Sequence, residues 1–257
     1  MKKFFRVSYV AIRVISCTLL ACIKMIYLAR KSPQRALQVA SNWWGPKMLG
    51  IAQAELTVHG LDRVDFDKPH IFVMNHQSLL DIPAVFNALP VNLCFVSKKE
   101  LKRIPLFGRT MSSVGMIFVD RSRPEAAIQS LKDGGALIRS GINVVAFPEG
   151  TRSKDGMIAP FKRGIFLLAL EAGVPIVTLA IIGADRVMPP SSFDPVSGKV
   201  HIEIGDPITV ENVTEEDINS LRAHTRDAVI SLSIQGGGKG AHTEEPIQIK
   251  TPAEVSA

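Results

Sequence analysis

The chain has 257 residues, 46% of them hydrophobic, and carries a net charge of +6. This length allows one domain with a sizeable core and an accessory segment. The three cysteines have no paired spacing, which argues against a disulfide framework and indicates a reducing compartment. The basic residues are interleaved with aliphatic ones and form no polar stripe. We therefore expect an anionic membrane surface as a partner and no nucleic acid.

The N-terminal segment is basic and apolar, with no acidic residue before Glu55. From Val7 to Leu28 the sequence is mostly apolar, interrupted by Arg13 and Lys24. The uncharged stretch between these two is shorter than the roughly 20 residues that a bilayer core requires. This favours a monotopic helix or helical hairpin in one leaflet, with a tilted single span as the alternative. Arg13 and the lack of an Ala-x-Ala site directly after the apolar run argue against a cleaved signal peptide.

A second N-terminal helix is predicted from Pro33 to Leu49, where Trp43 and Trp44 suit the headgroup region of a membrane. We expect residues 1–54 to be membrane-anchoring helices and residues 55–234 to form an α/β domain. Residues 235–257 contain glycines and prolines but no apolar period, so a disordered tail is predicted there.

Beyond residue 55 short apolar runs alternate with helical stretches, which is typical of an α/β fold. We predict a mixed, largely parallel sheet flanked by helices. The predicted strands are Glu55–His59, Ile71–Met74, Asn92–Val96, Met116–Val119, Asn143–Phe147, Ile176–Ile182 and Val200–Ile204. The predicted helices are Ile82–Ala88, Leu106–Ser113, Pro124–Ser140, Gly164–Ala172 and Glu215–Ser233.

His76 and Asp81 follow the buried strand predicted at Ile71–Met74. Ligands in α/β folds bind at the carboxyl ends of strands, so we expect the imidazole at such an edge. A histidine whose ring is oriented by a carboxylate can act as a general base. The alternative is a capping box from Ser78 to Asp81, which explains these two residues without catalysis and leaves His76 without a role.

A second group of polar residues, Glu149, Gly150, Thr151 and Arg152, follows the predicted strand Asn143–Phe147. Glycine lets the backbone approach a ligand, threonine offers a hydroxyl, and arginine supplies a planar fork for phosphate. A loop turn with a solvated ion pair is the alternative interpretation.

Arg121 ends a third segment, which begins at Gly115 and contains the predicted strand Met116–Val119. It is either an exposed partner of Asp120 or a second phosphate contact. The basic run before it is either a solvated face or a device that concentrates an anionic substrate. That run consists of Lys98, Lys99, Lys102 and Arg103.

Together and in this order, four blocks resemble the 1-acylglycerol-3-phosphate O-acyltransferase family. They are Asn-His-x4-Asp at 75–81, Gly-x-x-Phe-x-Asp-Arg at 115–121, Phe-Pro-Glu-Gly-Thr-Arg-Ser at 147–153 and Val-Pro-Ile-Val at 174–177. The resemblance runs from about Glu55 to Asp206 and departs at Thr178, where the family usually has proline. The N-terminal segment is similar to that of bacterial members, which resemble monotopic enzymes.

The resemblance implies transfer of a fatty acyl group from acyl-CoA or acyl carrier protein to the free hydroxyl of lysophosphatidic acid, making phosphatidic acid for phospholipid biosynthesis. His76 is implied as the base and Asp81 as the residue that orients it. Arg121 and Arg152 are implied in phosphate binding, with Glu149, Gly150 and Thr151 shaping the glycerol site. The implied location is the inner membrane, with the catalytic domain on its cytosolic face.

No cofactor is implied, and no metal either, because His59, His70 and His76 lack ligand spacing. Ser78 and Cys94 are candidate nucleophiles only by proximity, so direct transfer is the simpler mechanism. The rival functions are transfer to another acceptor, such as glycerol 3-phosphate or another lysolipid, and non-catalytic membrane binding. A soluble hydrolase would need a Gly-x-Ser-x-Gly elbow, which the sequence lacks.

Overall fold

The computed structural model describes residues 2–120, 130, 134–190 and 192–241. Within them, one sheet contains β1 (Ala54–His59), β2 (Ile71–Met74), β3 (Leu93–Lys98), β4 (Ile117–Val119), β5 (Asn143–Ala146), β6 (Ile176–Ile182) and β7 (Gly198–Ile208). The strand order is β1-β7-β6-β2-β5-β3-β4. All neighbours are parallel except β6 and β7, which are antiparallel. The predicted mixed, largely parallel sheet is confirmed.

Apart from the helical residues at 130 and 134–139, the α-helices of the described residues are α1 (Lys2–Ala29), α2 (Pro33–Val39), α3 (Gly45–Ala52), α4 (Asp81–Ala88), α5 (Phe107–Ser113), α6 (Gly164–Ala172), α7 (Ala184–Val187) and α8 (Ile218–Gln235). A π-helix, Ala40–Trp44, joins α2 to α3, and short 3-10 helices occupy Leu61–Arg63 and Lys99–Arg103. Of the predicted helix Pro124–Ser140, residues 130 and 134–139 are helical and residues 121–129 and 131–133 lie outside the described residues.

The central strands form where the sequence is uniformly apolar. Every residue of β2, β5 and β6 is buried, because a strand inside a largely parallel sheet is covered on both faces. The edge strand β1 alternates instead between half-buried and exposed residues. The predicted strand at Val200–Ile204 is too short, because β7 pairs with β1 near its start and with β6 as far as Ile208.

The N-terminal helices belong to the same hydrophobic core as the sheet. Ala36 and Leu37 of α2 are fully buried, and Met25 of α1 joins the same cluster. Trp44, expected at the headgroup level, donates its indole N–H to the Thr18 hydroxyl at 3.1 Å. The division between residues 54 and 55 therefore separates groups of elements but does not separate hydrophobic cores.

Residues 236–241, which follow the point where the tail was expected to begin, contact the domain. The Ser233 hydroxyl donates to the carbonyl of Lys239 at 2.8 Å, and the Ile158 N–H donates to the carbonyl of Gly240 at 3.0 Å. Ile158 also forms a parallel β-bridge with Ala241. These contacts hold residues 236–241 against the domain, and residues 242–257 lie outside the described residues.

Candidate active site

The sheet topology brings the first and third sequence blocks, at 75–81 and 147–153, together at one edge of the sheet. Because β2 and β5 are parallel neighbours, the residues that follow them lie side by side. Asn75, directly after β2, is buried. Its side-chain amide donates to the carbonyl of Ile181 in β6 at 2.9 Å and accepts from the N–H of the same residue at 2.8 Å. This amide fixes the chain just before His76, a role that the sequence analysis did not assign.

His76 and Asp81 form the predicted pair. The ring Nδ1 of His76 lies 2.6 Å from Oδ2 of Asp81, whose side chain is fully buried. The same oxygen accepts the backbone N–H groups of Gln77 at 2.6 Å and Ser78 at 2.8 Å. An ionised carboxylate only accepts hydrogen bonds, so Nδ1 carries the ring proton and Nε2 has a free lone pair.

The capping-box alternative is only half present. The reach of Asp81 back to the Ser78 N–H is there, but α4 begins at Asp81 itself and its N-cap is Leu80. The Ser78 hydroxyl accepts from the Leu80 N–H at 3.1 Å and donates to the carbonyl of Met188 at 2.6 Å. Asp81 therefore stabilises the turn and orients the His76 ring at the same time.

The backbone of His76 is held on both sides by the block that follows β5. Its N–H donates to Oε1 of Glu149 at 2.7 Å, and its carbonyl accepts from the Ser153 N–H at 2.7 Å. The ring stacks on Phe147, with centroids 4.0 Å apart and planes at 21°. Since 16% of the side chain is exposed, one side of the imidazole remains open to a substrate.

Glu149 is buried beneath this loop and uses both of its oxygens inside the protein. Oε2 accepts from the Ala159 N–H at 2.9 Å, while Oε1 accepts from the backbone N–H of His76. Burial raises the pKa of Glu149 to about 7, although the two backbone N–H groups act in the opposite direction. These contacts favour a positioning role over the glycerol contact that the resemblance implied.

The remaining residues of the second block are placed differently. Gly150 is buried and adopts a φ of 80°, a conformation that glycine tolerates best, whereas Thr151 is exposed. Arg152 is half-buried and donates to the carbonyl of Pro190 at 2.9 Å. No carboxylate of the described residues lies within ion-pair distance of its guanidinium, so the ion pair of the alternative interpretation is not formed by Arg152 there. Arg121 lies outside the described residues.

Neither candidate nucleophile is available for an acyl-enzyme intermediate. Ser78 is buried and its hydroxyl is engaged with Met188. Cys94 is fully buried, donates to the carbonyl of Val114, and has its pKa raised to about 12 by burial. A thiol with this pKa carries almost no thiolate at neutral pH.

An apolar cavity of about 290 Å³ lies beside the pair, a feature that the sequence analysis missed. Leu79 and Leu80, between His76 and Asp81 in the chain, form part of its wall. The rest comes mainly from α1, the π-helix, α4, β3 and α5. Because these elements are far apart in sequence, no local pattern could have revealed the cavity.

The architecture matches that of a solved structure. This is the 1-acyl-sn-glycerophosphate (LPA) acyltransferase PlsC from Thermotoga maritima, which superposes with a TM-score of 0.74. The match covers 89% of this chain and 93% of that chain at 23% sequence identity. The two proteins therefore share a fold.

The acyltransferase family model matches residues 55–182. The chloroplastic 1-acyl-sn-glycerol-3-phosphate acyltransferase of Brassica napus is 38% identical over 153 residues, 59% of this chain and 44% of that protein. The 1-acyl-sn-glycerol-3-phosphate acyltransferase alpha of Homo sapiens is 30% identical over 194 residues, 74% of this chain and 69% of that protein. This chain belongs to the acyltransferase family, and it spans between about two fifths and two thirds of the length of these relatives.

Proposed function

We propose that this protein is a 1-acylglycerol-3-phosphate O-acyltransferase. It moves a fatty acyl group from acyl-CoA or acyl carrier protein to the free hydroxyl of lysophosphatidic acid, making phosphatidic acid for phospholipid biosynthesis. The observation that carries the proposal is the oriented His76–Asp81 pair beside an apolar cavity. The relatives named for this reaction support the choice of acceptor.

His76 acts as the general base. Its Nε2 takes the proton of the acceptor hydroxyl while the hydroxyl oxygen attacks the thioester carbonyl carbon. The new C–O bond forms, the C–S bond breaks, and the imidazolium returns the proton to the leaving thiolate. Buried Asp81, 2.6 Å from Nδ1, stabilises the imidazolium between these steps.

Transfer is direct, from thioester to hydroxyl, because Ser78 and Cys94 are both engaged and buried. General base catalysis supplies roughly 10²–10⁴-fold. Positioning of the two substrates supplies much of the remaining rate enhancement. The rigid backbone of His76, held by Glu149 and Ser153, serves that positioning.

The phosphate of the acceptor binds Arg152, with Arg121 as its partner, and the glycerol lies near Gly150 and Thr151. Arg152 is half-buried and has no ion-pair partner among the described residues, so its charge is available to an anion. Gly150, two residues before Arg152, allows the backbone to approach the substrate closely.

A fatty acyl chain occupies the apolar cavity. Its walls are almost entirely hydrocarbon, and Phe95 of the cavity stacks at 6.1 Å on Phe147, which in turn stacks on His76. An acyl chain in the cavity therefore ends beside the base. This places the thioester or the ester carbonyl where the hydroxyl is activated.

Helix α1 anchors the protein in one leaflet of the membrane. Its segment Phe4–Ala29 is long and apolar enough to cross a bilayer by length and composition, yet its inner face packs on the domain. Its outer face exposes a stripe of large apolar side chains at helical spacing: Phe5, Tyr9, Ile12, Leu19, Leu20, Ile23 and Tyr27. A helix with apolar groups on both faces suits a position between protein and lipid.

The catalytic domain faces the cytosol from the inner membrane. All three cysteines are free, which agrees with a reducing compartment. The basic residues of the N-terminal segment favour an anionic membrane surface, and no nucleic acid takes part.

The test is an acyl-transfer assay with full-length protein in nanodiscs. Thiol release is measured with acyl-CoA or acyl carrier protein as donor, and lysophosphatidic acid, glycerol 3-phosphate and a choline lysolipid are compared as acceptors. We expect phosphatidic acid, identified by mass spectrometry, only with lysophosphatidic acid. The variant His76→Ala should lose this activity, whereas His224→Ala, at an exposed position on α8, should keep it.

Other outcomes would replace the proposal by one of its rivals. Transfer to glycerol 3-phosphate or to the choline lysolipid alone would change the acceptor. Thioester cleavage that needs no acceptor would indicate a hydrolase. No turnover under any condition would indicate a non-catalytic membrane-binding protein.

A further inference from the structure

A cluster of two histidines and a glutamate lies on the outer strands of the sheet, away from the candidate active site. In the parallel pair of β1 and β7, His59 is opposite Glu203, and Thr57 is opposite His201. Alternate residues of a strand share a face, so these four side chains project from the same side of the sheet. Strand β6 separates β7 from β2, the strand that precedes His76.

The side chains of this cluster converge closely. Nε2 of His201 lies 2.6 Å and Nδ1 of His59 lies 3.3 Å from the same oxygen, Oε1 of Glu203. One ligand atom from each residue lies within 4.8 Å of the other two. In a tetrahedral zinc site with bonds of 2.0–2.1 Å, neighbouring ligand atoms are about 3.4 Å apart. The three side chains therefore reach this geometry through rotamer adjustments of about 1 Å.

The surroundings prepare these groups to act as ligands. The Thr57 hydroxyl lies 2.7 Å from Nδ1 of His201 and can accept the proton of that nitrogen when Nε2 binds an ion. Nε2 of His201 lies 2.6 Å from Oε1 of Glu203, and an ion that takes the place of the proton between these two atoms releases it to solvent. An ionised carboxylate and a neutral imidazole are the ligand forms that a metal requires.

Access and coordination number agree with a small ion. The His59 side chain is 66% exposed, whereas those of His201 and Glu203 are 18% and 17% exposed. An ion can thus enter from solvent on the His59 side and keep water as a fourth ligand. The C-terminal end of α8 closes the other side, since a Cβ on Gly236 would lie 3.3–3.4 Å from His201 and Glu203.

We propose that His59, His201 and Glu203 form a binding site for a divalent transition metal, with Zn²⁺ as the best fit to two imidazoles and one carboxylate. The metal joins the edge strand β1 to β7 and stabilises this side of the sheet. The sequence could not indicate the site, because His59 and Glu203 are 144 residues apart and meet only through the pairing of the strands.

The test is metal titration of the full-length protein in detergent, with any affinity tag removed. Equilibrium dialysis against ZnCl₂, followed by metal analysis, measures the stoichiometry, and thermal unfolding with and without ZnCl₂ measures the stabilisation. We expect one Zn²⁺ per chain and a higher melting temperature. In His59→Gln the affinity for Zn²⁺ should fall by about tenfold or more, and the rise in melting temperature should shrink with it. Thr57→Val should also weaken Zn²⁺ binding.

The control variant is His224→Gln, since His224 is an exposed histidine outside the cluster. It should bind Zn²⁺ as the wild type does. Because His59 is exposed, His59→Gln should fold as the wild type does. Thermal unfolding of both proteins in the presence of EDTA checks this. No saturable Zn²⁺ binding in the wild type, or equal binding by His59→Gln, would overturn the proposal and leave only a hydrogen-bonded His–Glu–His network. Neither result depends on acyltransferase activity.

Discussion

Replacement of Asp81 by asparagine separates the charge of this residue from its shape. Oδ2 of Asp81 accepts three hydrogen bonds, from His76, Gln77 and Ser78. The asparagine oxygen can take the same position and accept the same three protons. What Asp81→Asn removes is the negative charge that, in the proposed mechanism, faces the imidazolium after His76 has taken the substrate proton.

The size of the effect follows from the type of hydrogen bond. A hydrogen bond to a charged group contributes about 1.5–3 kcal/mol, and each 1.36 kcal/mol changes a rate tenfold. We therefore expect a roughly 10- to 200-fold lower kcat with little change in KM. The asparagine nitrogen takes the place of Oδ1, which is buried and has no hydrogen-bond partner among the described residues. This buried donor costs about 1–3 kcal/mol of folding free energy.

The assay measures initial rates of thiol release over a range of lysophosphatidic acid concentrations, at a temperature where both proteins are folded. Thermal unfolding in the same nanodiscs separates the loss of stability from the loss of rate. The control is Asp62→Asn, an exposed position in a 3-10 helix. A kcat within about threefold of the wild type would refute the stabilising role of Asp81. A rise in KM alone would mean that Asp81 acts in binding instead.

Three further predictions concern the loop, the cavity and the anchor. Glu149→Gln leaves one acceptor for two backbone N–H groups, so thermal unfolding should show a loss of about 1–3 kcal/mol. The pKa of native Glu149 is about 7 and its ordinary value is 4.5, so between these pH values the native state binds this proton more tightly than the unfolded state does. The stability that Glu149 contributes therefore falls by about 3 kcal/mol as the pH rises from 4.5 to 7. Stability curves that run parallel with pH for wild type and Glu149→Gln would contradict this. Met111→Trp should fill part of the cavity and shift donor preference in acyl-CoA competition assays to shorter chains, and unchanged preference would exclude the cavity as the acyl site. Replacing exposed Ile12 and Ile23 by glutamine should weaken co-sedimentation with anionic vesicles, and undiminished binding would contradict anchoring by this face.

Much of the sheet was predictable from sequence. The bounds of β2 and β6 match the predicted strands, because their uninterrupted β-branched and apolar residues have no other stable location than the interior of the sheet. The ends of β7 were not predictable. Gly198 and Pro207 are turn-type residues, and only pairing with the neighbouring strands draws them into the sheet. Tertiary contacts overrode local propensity there.

The local contacts of the candidate site were predictable from sequence, and its long-range contacts were not. The pairing of His76 with Asp81 needs only a turn of five residues, so the local sequence indicates it. The hydrogen bond from His76 to Glu149 joins residues 73 apart, and that from Asn75 to Ile181 joins residues 106 apart. Such contacts depend on the order of strands in the sheet, which no local pattern encodes.

In the proposed mechanism, the shared use of α1 by cavity and membrane explains how a lipid substrate reaches the base. The inner face of α1 supplies Ala21, Cys22 and Met25 to the cavity wall, and the outer face exposes Ile23 and Tyr27. Transfer of a methylene group from hydrocarbon to water costs about 0.8 kcal/mol, so a chain of about 16 carbons would lose on the order of 12 kcal/mol in open solution. With α1 in the membrane as proposed, a cavity walled by this helix lets the chain pass from lipid to protein without that exposure. On this proposal the anchor is part of the substrate site, which accounts for the apolar residues on both faces of α1.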